Sequence, residues 1–178
     1  MPGPSKRTLH PLLLERGYWR NRLQVLKLGQ PSVILTPRPE LSSGAVEVSE
    51  FRIRTHDGIR LYGLRATNRL RHPTGPVRVR VVGPCDRPEI DRRAVEDGTP
   101  EFVFQEPAGR RLEDRVLDVL RVCQLAAESV SVDARRVRLV APEQEPDEFL
   151  IASHLLAEEL PPTALDDGCG HGPSAFAT

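Results

Sequence analysis

Apolar and polar residues roughly alternate over two neighbouring segments, a pattern typical of strands that are buried on one face. The segments flank Asp57-Gly58, a dipeptide that favours the positive φ of a tight hairpin turn. The apolar positions are Val46, Val48, Phe51, Ile53, Ile59, Leu61 and Leu64. The pattern predicts an antiparallel hairpin in which Asp57 and Gly58 are turn residues and His56 is exposed, and turn chemistry explains Asp57 without a catalytic role.

Further along the chain, short apolar runs alternate with segments of helical spacing. The runs at 77–82, 102–104 and 137–140 predict strands, and the segments at 88–97, 111–128 and about 146–161 predict helices. Charged residues along 111–128 are expected to form a solvated face; they are Glu113, Asp114, Arg115, Asp118, Arg121 and Glu128. This order predicts an α/β fold, with a short parallel-rich sheet, an antiparallel hairpin at its start and flanking helices.

The two ends of the chain differ in charge. Residues 1–38 hold seven Lys/Arg and one acid, whereas residues 141–178 hold eight acids and no Lys/Arg. We divide the chain into a basic N-terminal arm and Pro-rich linker (1–44), a core (45–160) and a flexible acidic tail (161–178). The arm is expected to contain a helix over 10–28 that buries Trp19. Such asymmetry can mark an interaction arm, or it can simply be a solvated surface.

Composition narrows the class of protein. With 178 residues, 39% hydrophobic residues and zero net charge, one soluble domain is expected. The three cysteines, Cys85, Cys123 and Cys169, have no metal-like spacing and suggest a reducing cytoplasm. No apolar run approaches the roughly 20 residues that span a bilayer. We therefore expect a cytoplasmic protein without a membrane segment.

Several phrases in the core resemble a known family when they are taken in order. Residues 51–63 are similar to the phrase F-x-V-x-(S/T)-x-D-G-x-x-L-x-G, and 132–137 are similar to V-D-P-x-R-I. Residues 106–109 and the helix at 113–120 follow the same order. Together they resemble the N-terminal half of α/β-hydrolases of the acetyl xylan esterase and dienelactone hydrolase type. The resemblance covers roughly residues 46–160 and implies that fold.

The resemblance fails where catalysis would be expected. The family's nucleophile elbow, G-x-S-x-G, is replaced by residues 141–145, which read A-P-E-Q-E, so that Glu143 stands in the Ser position. Downstream of the following helix the chain has only His171 as a candidate base. No triad can be assembled, and Glu143 is the single candidate catalytic residue. Acids at a helix start are also favoured for purely structural reasons.

Three functions remain open at this stage. The first is a non-catalytic, hydrolase-like binding or scaffold module. The sheet would end after the elbow helix, and we expect a protein partner, a second copy or the Pro-rich termini to cover the edge strand left there. The second is an esterase-like hydrolase that uses an unconventional residue or is completed by another chain. The third is a nucleic-acid-associated module that uses the basic arm, although no binding fingerprint accompanies it. The arm's candidate contacts are Arg16, Tyr18, Trp19, Arg20, Arg22 and Lys27.

Neither a cofactor nor a metal ion is expected. The chain has no P-loop and no G-x-G-x-x-G fingerprint. Asp167, Cys169 and His171 have side chains that suit zinc, but a closed zinc site normally needs four ligands.

Overall fold

The computed structural model describes residues 16–27, 32–73, 75–130, 136–140, 151, 152 and 155. The α-helices whose bounds are described are α1 (Arg16–Lys27), α2 (Arg92–Glu96) and α3 (Leu112–Ser129). A 3-10 turn covers Pro39–Leu41. The strands are β1 (Val33–Pro37), β2 (Val46–Arg54), β3 (Arg60–Asn68), β4 (Val77–Val82), β5 (Glu101–Gln105) and β6 (Val137–Val140).

The strands form one mixed sheet in the order β1-β2-β3-β5-β4-β6. Three pairs of neighbouring strands are antiparallel: β1 with β2, β2 with β3, and β3 with β5. Strand β4 runs parallel to both β5 and β6. The α/β class, the flanking helices and the antiparallel start are therefore confirmed. The parallel part of the described sheet is limited to β4, β5 and β6.

The predicted hairpin is formed by β2 and β3. Gly58 has a φ of 84°, and its N–H donates to the Thr55 carbonyl at 3.0 Å. His56 is exposed, as expected. Gly63 lies opposite Phe51 in the neighbouring strand, and a Cβ there would lie 2.4 Å from both the Phe51 ring and the Val103 carbonyl oxygen. In the family-like phrase, Gly58 is thus favoured by its positive φ, and Gly63 is required by packing.

The main core lies between one face of the sheet and helices α1 and α3. Aliphatic side chains form most of it, around four buried aromatic rings, and full burial of a Val, Leu, Ile or Phe side chain stabilises a fold by about 1.5–3 kcal/mol. Its largest members are Trp19, Phe51, Phe102, Phe104, Ile53, Leu61 and Leu120. Trp19 is fully buried on α1, which confirms its predicted inward position. Cys123 is a buried core residue of α3, and its burial raises the pKa of the thiol.

The linker prediction for residues 29–44 is wrong at 33–37. These residues form β1 and pair antiparallel with β2, from Val33 opposite Ile53 to Pro37 opposite Ser49. Pro37 is compatible with this position because β1 is an edge strand of the described sheet, where an amide N–H can be dispensed with. The apolar run at 33–35 is short and lies between Pro31 and Pro37, so the sequence did not predict a strand there. Strand β1 is stabilised by its pairing with β2.

The solvated-face prediction for α3 is wrong for two of its six residues. Asp118 and Arg121 are only 2% and 6% exposed. Arg121 donates to the Leu26 carbonyl oxygen at 3.3 Å, because α1 packs beside α3. A helix that contacts both another helix and the sheet buries more than one stripe, and periodicity along its own sequence does not reveal the second.

The predicted helix at about 146–161 lies mostly outside the described residues. Ile151, Ala152 and Leu155 are helical and buried. No helix in the described part of the chain is long and apolar enough to cross a membrane.

Candidate functional site

The carboxyl ends of β4, β5 and β6 lie together, on the side of the sheet where its parallel strands end. We call this side the carboxyl edge, as distinct from the outer strands of the sheet. Open α/β sheets usually bind ligands there. The described segments there are 83–90, which follows β4, and 106–111, which follows β5. The β2–β3 turn lies at the same edge, because β3 runs antiparallel to β5 and Tyr62 is opposite Gln105. Glu143 follows β6 and lies outside the described residues.

Arg110 is the centre of a buried ion cluster at this edge. Its Nε and Nη2 atoms each donate to one carboxylate oxygen of Asp118 at 2.9 Å, which is a bidentate pair. Its Nη1 atom donates to the carboxylate of Asp57. The side chains of Arg110 and Asp118 are 4% and 3% exposed, whereas that of Asp57 is 34% exposed. We call Asp57, Arg110 and Asp118 the Arg110 cluster.

Burial and charge act in opposite directions in the Arg110 cluster. Burial raises the pKa of Asp118 to about 6, against the opposing effect of Arg110. Burial also raises the pKa of Asp57, but hydrogen bonds from Arg110 and Thr55 outweigh it and bring the pKa to about 2. Burial lowers the pKa of Arg110, and the two carboxylates more than reverse this. The Arg110 guanidinium is therefore charged at every pH at which Asp57 or Asp118 titrates.

Asp57 thus combines two structural tasks. It is the turn residue that the sequence predicted, and its carboxylate accepts a hydrogen bond from the Thr55 hydroxyl. It also ties the β2–β3 turn to the segment after β5 through Arg110, a partner 53 residues away. The hairpin pattern identified the first task, while no local signal indicated the second.

The loop after β4 is fastened to β5 by hydrogen bonds. The Gln105 side-chain amide donates to the carbonyl oxygens of Pro84 at 2.7 Å and Asp86 at 3.1 Å. The chain turns back at Gly83, where the Asp86 N–H donates to the Gly83 carbonyl oxygen at 3.0 Å. On the other side of the edge, Arg115 pairs with Glu106 at 3.2 Å. Most polar side chains here hold loops in place.

His56, Asp57 and Asp114 form the one cluster of potential metal ligands found in the described residues. Their ligand atoms lie within 4.8 Å of one another. The Asp57 carboxylate already accepts hydrogen bonds from Arg110 and Thr55, so a cation would compete with a buried guanidinium. This charge balance makes the cluster a poor cation site. Asp167, Cys169 and His171 lie outside the described residues.

No serine occurs in the described segments 55–58, 83–90 or 106–111 that line this edge. The exposed Cys85 is the thiol among them. The elbow residues, 141–145, lie outside the described residues. The Arg110 cluster, which sequence reasoning missed, lies at the described part of this edge.

The aromatic residues of the N-terminal arm face inward. Trp19 is fully buried, and the Tyr18 hydroxyl donates to Glu113 Oε1 at 2.7 Å. The Arg22 guanidinium stacks 4.1 Å from the Tyr18 ring centroid. The rings proposed for base stacking are thus used in packing α1 against α3. Nucleic-acid binding by the arm stays an untested alternative that these contacts do not favour.

The sheet order and the helices form a fold of the α/β-hydrolase type, and two solved structures share it. Acetyl xylan esterase from Paenibacillus sp. R4 superposes with a TM-score of 0.64 at 14% identity, covering 85% of this chain and 60% of that one. Acetyl xylan esterase 1 from Thermoanaerobacterium sp. JW/SL YS485 gives 0.58 at 13% identity, covering 76% and 52%.

These likenesses confirm the resemblance at the level of fold and carry nothing finer at such low identity. This chain spans less than two thirds of the length of either esterase. No protein-family model matches the sequence, and no curated protein matches it either.

Proposed function

We propose that this chain is a non-catalytic binding or scaffold module with an esterase-like fold. The observation that carries the proposal is the Arg110 cluster, which fills the described part of the edge with ion pairs. Acyl transfer would need a nucleophile, a base and free hydrogen-bond donors aimed at an oxyanion. The elbow has Glu143 in place of serine, and no serine occurs in the described segments 55–58, 83–90 or 106–111 at this edge.

Hydrolysis of short-chain nitrophenyl esters by the purified chain tests this proposal. Glu143→Gln removes the candidate carboxylate, and Glu145→Gln, two residues away in the same acidic segment, is the matched control. We expect all three proteins to hydrolyse the esters no faster than buffer. Turnover that is lost in Glu143→Gln but kept in Glu145→Gln would support the unconventional hydrolase instead, because a carboxylate can serve as nucleophile or base.

We further propose that the module binds its protein partner, or a second copy of itself, along β1. This strand pairs with β2 on one side only within the described sheet. Ile34 and Leu35 are 58% and 43% exposed, and Tyr62 on the same face as Ile34 is 42% exposed. An edge strand with open N–H and C=O groups beside exposed apolar side chains is a template for strand addition.

Light scattering and sedimentation over a range of protein concentrations test whether the chain binds a second copy of itself. We expect Ile34→Glu to abolish any dimer, since a carboxylate would be buried in the new strand pair. Leu70→Glu is the control, because Leu70 is 76% exposed but lies outside β1. Equal effects of the two substitutions would remove β1 from the interface. A chain that stays monomeric throughout would exclude the second copy and leave a different protein as the partner.

A further inference from the structure

A groove of about 550 Å³ lies on the side of the sheet opposite the carboxyl edge, where β3 ends and β5 begins. Its volume falls in the range of small-molecule sites, roughly 300–1,000 Å³. Basic and polar side chains form one part of its lining, and apolar ones form another. The basic members are Arg65, Arg69, Arg71 and His72. We call this the arginine groove.

Arg65 is the least explained side chain of the groove. Its Nε atom is buried and has no hydrogen-bond partner. Buried donors are normally satisfied, so an orphan of this kind calls for an explanation such as an unseen ligand. Within the described residues, no carboxylate forms an ion pair with Arg65, Arg69 or Arg71.

Neighbouring arginines of the same sheet, in contrast, form ion pairs with carboxylates. Arg80 pairs with the buried Glu101 at 2.9 Å, and Arg78 pairs with Asp91 at 2.8 Å. Within the described residues, the arginines of the groove therefore lack the carboxylate partner that Arg78 and Arg80 have. The excess of arginine is visible in the sequence, because residues 58–85 contain six arginines and no acid. Three of those six line the groove.

The carboxyl end of α3 also reaches the groove through Ser129 and Val130. A helix C-terminus carries a partial negative charge of about half an elementary charge, which opposes an anion. Three full guanidinium charges exceed it. The groove as a whole therefore favours a ligand with more than one negative charge.

We propose that the arginine groove binds the phosphate group of a small organic molecule. Guanidinium groups present forked N–H donors that match phosphate oxygens, and several of them suit a multiply charged group better than a single carboxylate. Leu70, Pro73, Pro100 and Val130 supply apolar surface for the organic part. This site is independent of the elbow and of β1, so it stands or falls apart from the proposed function.

Calorimetric titration of the full chain with pyrophosphate and with inorganic phosphate tests the assignment. We expect saturable binding of pyrophosphate, with weaker binding of inorganic phosphate. Arg65→Met should weaken pyrophosphate binding by at least about tenfold, because it removes a charge-assisted donor. Arg65→Lys should recover part of the loss, since it restores the charge without the fork. Thermal unfolding of each variant checks that it folds.

Arg60→Met is the matched control, because Arg60 is exposed on the same strand and lies outside the groove. It should leave pyrophosphate binding within about twofold, allowing for long-range screening. Equal weakening by Arg60→Met and Arg65→Met would overturn the proposal, as would the absence of saturable binding. Tighter binding of a short single-stranded oligonucleotide than of pyrophosphate would overturn the small ligand in favour of nucleic acid.

Discussion

Arg110 and Arg65, at the two ends of the sheet, differ in whether the fold neutralises their charge. At the carboxyl end of β5, Arg110 is buried and is bonded to two carboxylates. At the far end of β3, Arg65 has a buried Nε without a partner, and two further arginines share its groove. A cation that is neutralised within the fold holds elements together. A cation that is left uncompensated by the fold is available to a ligand.

The same contrast predicts different roles for the two edges. An α/β-hydrolase uses the carboxyl edge of its parallel strands for chemistry. In this chain the described part of that edge holds the Arg110 cluster, which joins a turn, a loop and helix α3, and the opposite edge carries the open, charged groove. Substitutions at the first edge should therefore change stability, and substitutions at the second should change binding.

Arg110→Met should have the largest effect on stability. It leaves Asp57 and Asp118 facing each other at a buried site, and loss of one partner of a buried ion pair typically costs about 3–5 kcal/mol. Arg65→Met should change the free energy of unfolding by less than about 1 kcal/mol, because it removes an unsatisfied donor. Urea unfolding of both variants measures the difference, and similar losses would remove the contrast between the two edges.

Asp118→Asn should cost less, about 1–3 kcal/mol. The amide keeps one acceptor for Arg110, but its NH2 group faces the donors of the guanidinium. Asp114→Asn, one turn earlier on α3, is the control and should change stability by about 0.5 kcal/mol or less, since Asp114 is only half-buried. Thermal unfolding at neutral pH compares the two. If Asp114→Asn lowers stability as much as Asp118→Asn does, the effect comes from the total charge on α3 and not from the bidentate pair with Arg110.

Asp57→Asn should have the smallest effect and a definite pH dependence. Because the native pKa of Asp57 is lowered to about 2 from 3.8, its ionised form contributes stability above about pH 4. That contribution is lost as the pH falls from about 4 to about 2. Its size should be about 1 kcal/mol, since the side chain is one-third exposed and screened by solvent.

The measurement for Asp57 is the free energy of unfolding from pH 2 to pH 6. Relative to the wild type, Asp57→Asn should flatten the curve below pH 4. The exposed Asp97 gives the control, Asp97→Asn, which should leave the curve unchanged in shape. A wild-type curve that is already flat between pH 4 and pH 2 would show that Arg110 does not hold Asp57 in its ionised form.

Local pattern was sufficient for most of the elements. The hairpin around Asp57-Gly58, the strands β4, β5 and β6, and the helices α2 and α3 follow from alternation, helical spacing and turn residues. Strand β1 was missed because its apolar run is short and bounded by prolines. The Val33-Ile34-Leu35 run was the available signal, but its pairing with β2 depends on contacts with residues 15 or more positions away.

The candidate sites show the same division. Glu143 was found by comparing the elbow with a family phrase, which needs only the order of residues. The Arg110 cluster joins residues from a turn, a loop and a helix, and no spacing rule links positions 57, 110 and 118. The acid-free stretch 58–85 is legible in the sequence, yet which of its arginines acquire partners is not.

By itself, the sequence determined the α/β class, the likeness to the esterase fold and the absence of a G-x-S-x-G phrase at residues 141–145, because each depends on local periodicity or on the identity of neighbouring residues. Only the tertiary structure decided which charges are neutralised. Burial and ion pairing depend on distances between segments that are remote along the chain, and the strength of a charge interaction follows distance and solvent exposure. For that reason Asp118 became a buried ion-pair partner, and Arg65 was left with an unsatisfied donor in an open groove.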